Sequence, residues 1–207
     1  MTSFTFEGLY LVTPDWDDTA RLLATTEQAL KGGVGLLQYR HKTADAAQRL
    51  EQASALQALA KQYGVPFIIN DFIELCLELN ADGIHVGGTD LAVAEVRKQV
   101  GPDRILGSSC YGSLELAHAA QDAGASYVAF GGFYPSRVKK YPVTTPPTIV
   151  SDWKQQGKVP SVVIGGMTRD NSAPLVAHGA DMVAAISSVY LADDPQQAAR
   201  DFGTLFA

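Results

Sequence analysis

The sequence predicts an α/β fold, a (β/α)8 TIM barrel forming a single domain over residues 1–207. Three observations carry that prediction. Short apolar runs alternate with longer amphipathic segments, which is the pattern of a parallel sheet covered by helices. Eight such runs occur, and one helix-to-strand turn recurs between them. A chain of 207 residues lies near the lower limit of about 200 for eight β/α units. An open doubly wound sheet is the competing arrangement, but it needs a reversal of strand order and usually fewer strands.

The strands are read, in order, at residues 8–12, 34–39, 66–69, 83–86, 104–108, 127–131, 160–164 and 182–186. Between the second and third, residues 43–63 are rich in Ala, Leu and Gln and predict the clearest amphipathic helix, stopped by Gly64. The recurring turn is Asn80-Ala81-Asp82, Gly124-Ala125-Ser126 and Gly179-Ala180-Asp181. Asn or Gly takes the left-handed cap, and the small Ala lets helix and strand approach. This is a repeated structural unit and not a binding motif. The least regular stretch, 134–147, holds four prolines and follows the sixth strand. A loop of that length in a compact barrel is more often functional than accidental.

Composition bounds the function. Apolar residues make up 46% of the chain, enough for a sizeable core, and the net charge of −6 argues against a general nucleic-acid binder, which needs a cationic face. A local basic pocket for a small anion remains compatible. Cys76 and Cys110 are far apart and form no CxxC pair, so a disulfide framework or zinc site is not expected. The N-terminus shows no charged-then-apolar leader and no apolar run is long enough to cross a bilayer, so the expected setting is cytoplasmic.

In a barrel of this kind, chemistry collects at the C-terminal ends of the strands. After strand two comes Gln38-Tyr39-Arg40-His41-Lys42, where alternation points Gln38, Arg40 and Lys42 the same way. Two cations and an amide on one face read either as an anion clamp or as solvated surface charge. After strand three comes Asn70-Asp71, and after strand four Gly87-Gly88-Thr89-Asp90. Asp71 and Asp90 fall on adjacent strand ends. Two carboxylates with open positions suit Mg2+, although Asp90 also reads as the N-cap of a helix over 91–100. Ser109 follows strand five, and Ser136, Arg137, Val138, Lys139 and Lys140 follow strand six. Gly165-Gly166 and Ile186-Ser187 end strands seven and eight, the usual place for a barrel phosphate site. One metal-assisted anion site and one without metal imply two phosphorylated small-molecule substrates.

These segments, in this order, resemble the thiamine-phosphate synthase family. The similarity runs from Leu9-Tyr10-Leu11-Val12-Thr13 to Ile186-Ser187. Its motifs include Gln38-Tyr39-Arg40-His41-Lys42, Asn70-Asp71, Asp82-Gly83-Ile84-His85-Val86-Gly87 leading to Asp90-Leu91, and Gly165-Gly166. The resemblance implies that Gln38, Arg40, Lys42, Asn70, Ser109 and Lys139 hold an aminopyrimidine diphosphate. It implies Mg2+ on Asp71 and Asp90, and a thiazole phosphate on Gly166, Ile186 and Ser187 with Ser136 and its neighbours closing over the ring. Arg40, Lys42 and Lys139 are the implied catalytic cations.

Two departures from the family pattern stand out. Ser109-Cys110-Tyr111 replaces Ser-Thr-His, and Pro135-Ser136-Arg137-Val138-Lys139 replaces Pro-Thr-x-Thr-Lys, so Val138 brings no hydroxyl. The expected reaction is a dissociative substitution releasing pyrophosphate. It calls for no strong general base, and His41 and His85 are expected to shape the pocket while His118 and His178 fall on helices. Three alternatives compete. A thiazole tautomerase of the same family needs a histidine where Tyr111 stands. A non-catalytic phosphate-ligand-binding barrel would use the clamp for an effector. A sugar-phosphate epimerase wants an opposed pair of catalytic acids.

Overall fold

The computed structural model describes residues 4–87, 92–135 and 144–207. Among them, eight strands pair in parallel: β1 (Gly8–Val12), β2 (Leu36–Tyr39), β3 (Phe67–Asn70), β4 (Gly83–Val86), β5 (Ile105–Tyr111), β6 (Tyr127–Gly131), β7 (Ser161–Ile164) and β8 (Met182–Ala185). Each strand pairs with the next in sequence, and β8 returns to β1 through Gly8↔Met182 and Tyr10↔Ala184. The sheet therefore closes, as the alternating pattern predicts, into a (β/α)8 TIM barrel. The covering helices are α1 (Thr19–Gly32), α2 (Ala46–Gln62), α3 (Ile73–Glu78), α4 (Val93–Val100), α5 (Leu114–Asp122), α6 (Thr148–Gln156) and α7 (Arg169–Ala177). A short α8 (Ser187–Tyr190) and α9 (Pro195–Gly203) follow β8. No described helix is long and apolar enough to cross a membrane.

Local chemistry sets the boundaries. The helix expected over 43–63 begins only at Ala46, because the Asp45 side chain accepts the Gln48 N–H at 2.8 Å and so fixes the N-cap. It ends at Gln62, and just beyond it Gly64, with a φ of 66°, lets the Val65 N–H reach the Ala60 carbonyl at 3.0 Å. The recurring turn does the same at three other helices. Ala81, Ala125 and Ala180 donate to Cys76, Ala120 and Leu175 at 3.0, 2.9 and 3.1 Å, the six-to-one closure of a Schellman motif. The polar residue that follows has a second task. Asp82 accepts the Phe67 N–H at 2.8 Å, Ser126 that of Leu106 at 3.0 Å, and Asp181 that of Ser161 at 2.8 Å. Each turn thus satisfies a backbone donor at the start of the neighbouring strand.

Two apolar layers result from the period-two alternation of the strands. Leu9, Leu11, Leu37, Ile69 and Ile84 pack outward under the helices, while Tyr10, Leu36, Ile68, Tyr127, Val162 and Met182 fill the barrel interior. Each fully buried aliphatic side chain contributes about 1.5–3 kcal/mol. Phe6 closes the interior from the N-terminal end, its ring 5.6 Å from that of Tyr127.

β5 departs from expectation. It runs to Tyr111 and not to Ser108, with a register shift between Ser109 and Tyr111 against β6. The bulge buries Cys110 in the helix-facing layer and carries Tyr111 at a φ of 52°; its polar sequence, Ser108-Ser109-Cys110, reads as loop to any pattern based on hydropathy. Cys76 and Cys110 are both free and buried, and burial pushes each thiol up to about 11.

The interior also explains Gly107. A Cβ there would lie 2.0 Å from Cζ of Tyr127, whose ring crosses the barrel at that level. Gly107→Ala is therefore expected to cost about 1–3 kcal/mol through overpacking, read as a lower urea midpoint at unchanged m-value; an unshifted midpoint would refute the packing argument.

Candidate active site

The C-terminal strand ends surround a cavity of about 450 Å3. Gln38 reaches it from β2, Asn70 from the end of β3 and Ser109 from the β5 bulge. Arg40 lies just past β2, Gly166 past β7, and Ile186 with Ser187 past β8; all four line the same cavity. Seven of the residues singled out in the sequence therefore meet around one space.

Arg40 is held rather than free. It is buried, its Nη1 donates to both carboxylate oxygens of Asp15 at 3.0 Å, and its backbone N–H donates to Thr13 Oγ1 at 2.8 Å. Asp15 also accepts the Lys42 N–H at 3.0 Å. Among the described residues, the Arg40 Nε is buried without a hydrogen-bond partner. A leftover buried donor on a fixed cation is costly unless an acceptor arrives, so this group is built for an oxyanion. Asp15 was not among the residues read from the sequence. Its signal was present: it is the polar residue after β1, at the same strand-end position that drew attention elsewhere.

Lys42 does not line the cavity. β2 ends at Tyr39, so strand alternation no longer governs Lys42, and Asp15 draws its backbone aside. Its side chain is half-exposed on the rim with Nζ 3.7 Å from Asp71 Oδ2. Asp71 adopts a φ of 63°, and its Oδ2 accepts from Asn70 Nδ2 at 2.7 Å. Among the described residues, the other oxygen, Oδ1, receives only a long 3.4 Å contact from the Gly87 N–H.

Asp90, Ser136, Arg137, Val138 and Lys139 lie outside the described residues. The N-cap of α4 is Ala92 and its first residue Val93, so the helix expected over 91–100 starts later.

The glycine side of the mouth is rigid. Gly165 and Gly166 have φ of 102° and 66°, and a Cβ on Gly166 would meet the Pro135 carbonyl at 2.3 Å. Asn171 Nδ2 donates to the Gly166 carbonyl at 2.9 Å, and Thr168 and Asn171 form a capping box at the start of α7. Ser187 opens α8, whose first-turn N–H groups have no acceptor within the helix. The Ser188 Oγ beside it is buried without a partner.

Three of the four histidines fall where the sequence places them; His41, expected to shape the pocket, does not line the cavity, because its ring is engaged by the Ala44 N–H and Asp17. His118 lies on α5 and His178 caps α7. His41 is buried outside the cavity, its Nδ1 accepting the Ala44 N–H at 2.9 Å and its Nε2 3.2 Å from the Asp17 carboxylate, off line for a hydrogen bond. His85 lines the cavity and takes part in a buried polar chain with Ser109, Tyr127, Tyr10 and Gln38. Burial raises both tyrosine hydroxyls above the ordinary phenol range, so both stay protonated.

Fold and mouth together define a TIM barrel with a candidate anion-binding site at the C-terminal ends of its strands. The chain belongs to the thiamine monophosphate synthase family, whose profile matches residues 9–189. It is 81% identical over 200 residues to the thiamine-phosphate synthase of Janthinobacterium sp. (strain Marseille), covering 97% of each chain. It is 46% identical over 200 residues to that of Thiobacillus denitrificans, covering 97% of this chain and 95% of the relative. Among solved structures, the thiamine phosphate pyrophosphorylase of Pyrococcus furiosus superposes with a TM-score of 0.84 at 28% identity, over 98% of this chain and 96% of that one.

Removing the Asp15 carboxylate tests the electrostatic frame. Asp15→Ala is expected to lose about 1–3 kcal/mol of stability by leaving a buried guanidinium unpaired. Inorganic pyrophosphate should restore part of that loss in a thermal melt. A variant as stable as wild type would show that Arg40 does not depend on this partner.

Proposed function

We propose that this barrel is a thiamine-phosphate synthase, a transferase that joins 4-amino-2-methyl-5-(diphosphooxymethyl)pyrimidine to a thiazole phosphate and releases pyrophosphate. The observation that carries the reading is the 81% identity to a protein of that name over 97% of both chains. The isomerase and effector-binding alternatives gain no comparable support.

In this reading Gln38, Arg40, Lys42, Asn70, Ser109 and Lys139 hold the pyrimidine diphosphate. Gly166, Ile186 and Ser187 hold the thiazole phosphate, and Ser136, Arg137 and Val138 close over the thiazole. The bond from the pyrimidine methylene carbon to the diphosphate oxygen breaks with both electrons leaving on pyrophosphate. The 4-amino group feeds electron density into the ring and spreads the positive charge left on the methylene. The neutral thiazole nitrogen then supplies the electron pair of the new C–N bond and becomes a thiazolium, so no proton has to move. What the protein must stabilise is negative charge growing on the leaving group, which Arg40 meets as a cation fixed by Asp15, with Lys42 and Lys139 as the further cations of this reading. The unpartnered Arg40 Nε supports that part of the reading.

Mg2+ belongs to the same proposal, on Asp71 and Asp90. Asp71 suits a hard cation because it sits on the rim, partly exposed, with one oxygen only weakly engaged. Among the described residues no group of three or more His, Cys, Asp or Glu side chains gathers into a metal cage. That agrees with Mg2+, which takes one or two carboxylates and completes its shell with water and phosphate oxygens. The ion would neutralise charge on the departing diphosphate.

The test is product detection. Both phosphorylated heterocycles are mixed with the protein, with and without Mg2+, and thiamine phosphate and pyrophosphate are measured. Formation of both, in equal amounts and only with Mg2+, is the expected result; no product under either condition would end the reading. Asp71→Ala should abolish the Mg2+-dependent turnover in a folded barrel, and near-normal turnover would remove the metal assignment. Ser187→Glu should raise the KM for the thiazole phosphate by roughly tenfold or more by placing like charge beside it; unchanged saturation would contradict that placement.

A further inference from the structure

The floor of the cavity holds a continuous chain of hydrogen bonds that the substitution chemistry does not use. Gln38 Nε2 donates to Tyr10 Oη. The Tyr10 and Tyr127 hydroxyls meet at 2.6 Å, Tyr127 Oη lies 2.8 Å from His85 Nδ1, and His85 Nε2 lies 2.9 Å from Ser109 Oγ. Gln38 and Ser109 both line the cavity, at opposite ends of the chain. The tyrosines between them are buried, and the ring of Tyr127 stacks on His85 with centroids 5.7 Å apart.

A hydroxyl has one proton to give, and a neutral imidazole has one N–H and one acceptor nitrogen. Buried O–H groups need acceptors. With the His85 imidazole neutral, the chain has two self-consistent directions. In the one that follows from the Gln38 orientation, Gln38 donates to Tyr10, and the proton order then runs Tyr10 to Tyr127, Tyr127 to His85 Nδ1, and His85 Nε2–H to Ser109. The Ser109 proton is then left for the cavity, and Gln38 offers it a carbonyl oxygen and one N–H. In the reverse direction Ser109 spends its proton on His85, Tyr10 donates to the Gln38 carbonyl, and Gln38 presents only N–H groups. Any mixture of the two either strands a buried hydroxyl proton or sets two acceptors against each other at hydrogen-bond distance.

We propose that Tyr10, Tyr127 and His85 are positioning residues that couple the Ser109 hydroxyl to the orientation of the Gln38 amide, and so make the pocket select an amino-substituted over an oxo-substituted pyrimidine. The inference rests on the assignment of a phosphorylated pyrimidine to this cavity. Phosphate oxygens only accept, so a diphosphate held by Ser109 draws the hydroxyl proton outward and fixes the first direction. Gln38 then presents an acceptor beside a donor. An exocyclic amino group beside a ring nitrogen matches that pair, as amide side chains match adenine. An oxo group beside a ring N–H offers the opposite order, and the chain resists the amide flip that would accommodate it. Phosphate recognition at one end thereby enforces base recognition at the other.

Tyr127→Phe removes one hydroxyl and keeps the ring that packs on His85, and Tyr10→Phe cuts the chain at the next link. Binding of the 4-amino and 4-oxo hydroxymethylpyrimidine monophosphates is measured by calorimetry without the thiazole phosphate. Wild type should favour the amino ligand by roughly tenfold or more, and each variant should narrow the ratio to within about threefold, chiefly by binding the oxo ligand better. A wild-type protein with no preference, or a ratio unchanged in a folded variant, overturns the proposal. Imidazole nitrogen shifts of His85 in wild type with the amino ligand bound give a reading that needs no variant: Nε2 should be protonated and Nδ1 not, and the opposite tautomer overturns it. Thiamine phosphate formation by wild type is scored separately, so a failure of the synthase reading is told apart from a failure of this one.

Discussion

Closure of β8 onto β1 is the constraint from which the rest of the molecule follows. Because the strands are all parallel and the ring has no edge, every strand ends on the same rim. Residues as distant in sequence as Asp15, Asn70, Ser109 and Ser187 come together for that reason alone. Closure also creates an interior that must be filled from the strands themselves. Tyr10, Tyr127 and Met182 occupy its lower part. Smaller or polar inward residues, Ala129, Ala184, Gln38 and Ser109, leave the upper part open as the cavity.

The mouth of this acidic chain also carries the groups of a candidate anion site. A net charge of −6 is spread over a surface where charges more than about 8–10 Å apart are screened. What counts at the mouth is local: a guanidinium fixed by Asp15, the glycine turn after β7, and the first turn of α8. Asp15 lowers the net charge of the pocket yet improves the site. An unanchored arginine would have to surrender rotamer freedom at the moment of binding, and here that cost is met on folding.

Much of this was legible in the chain. The strand positions emerge because parallel strands buried on both faces are short and apolar. The strand-end polar residues emerge because they interrupt those runs: Gln38, Arg40 and Asn70 are conspicuous beside Leu36, Leu37, Ile68 and Ile69. The same logic failed where polarity did not mark the end of a strand, as at Ser108–Ser109 in β5. It also failed for Lys42, where alternation was extended past the last paired residue. Asp15 was overlooked because its importance lies in a partner 25 positions away. The polar chain under the cavity was illegible in principle: Tyr10 and Tyr127 are 117 positions apart and read as ordinary apolar strand residues. Their hydroxyls acquire direction only when the barrel brings them into contact.

The two cysteines have a practical consequence. Both thiols sit in the layer between sheet and helices, with ionisation suppressed by their surroundings, and it is the thiolate that attacks alkylating reagents. The native protein should therefore be silent toward such labels, and each modification event will report that the outer shell of helices has opened. Cys76 on α3 and Cys110 on β5 lie on separate elements, so comparing their labelling rates gives a built-in clock for whether the barrel comes apart all at once or one sector at a time.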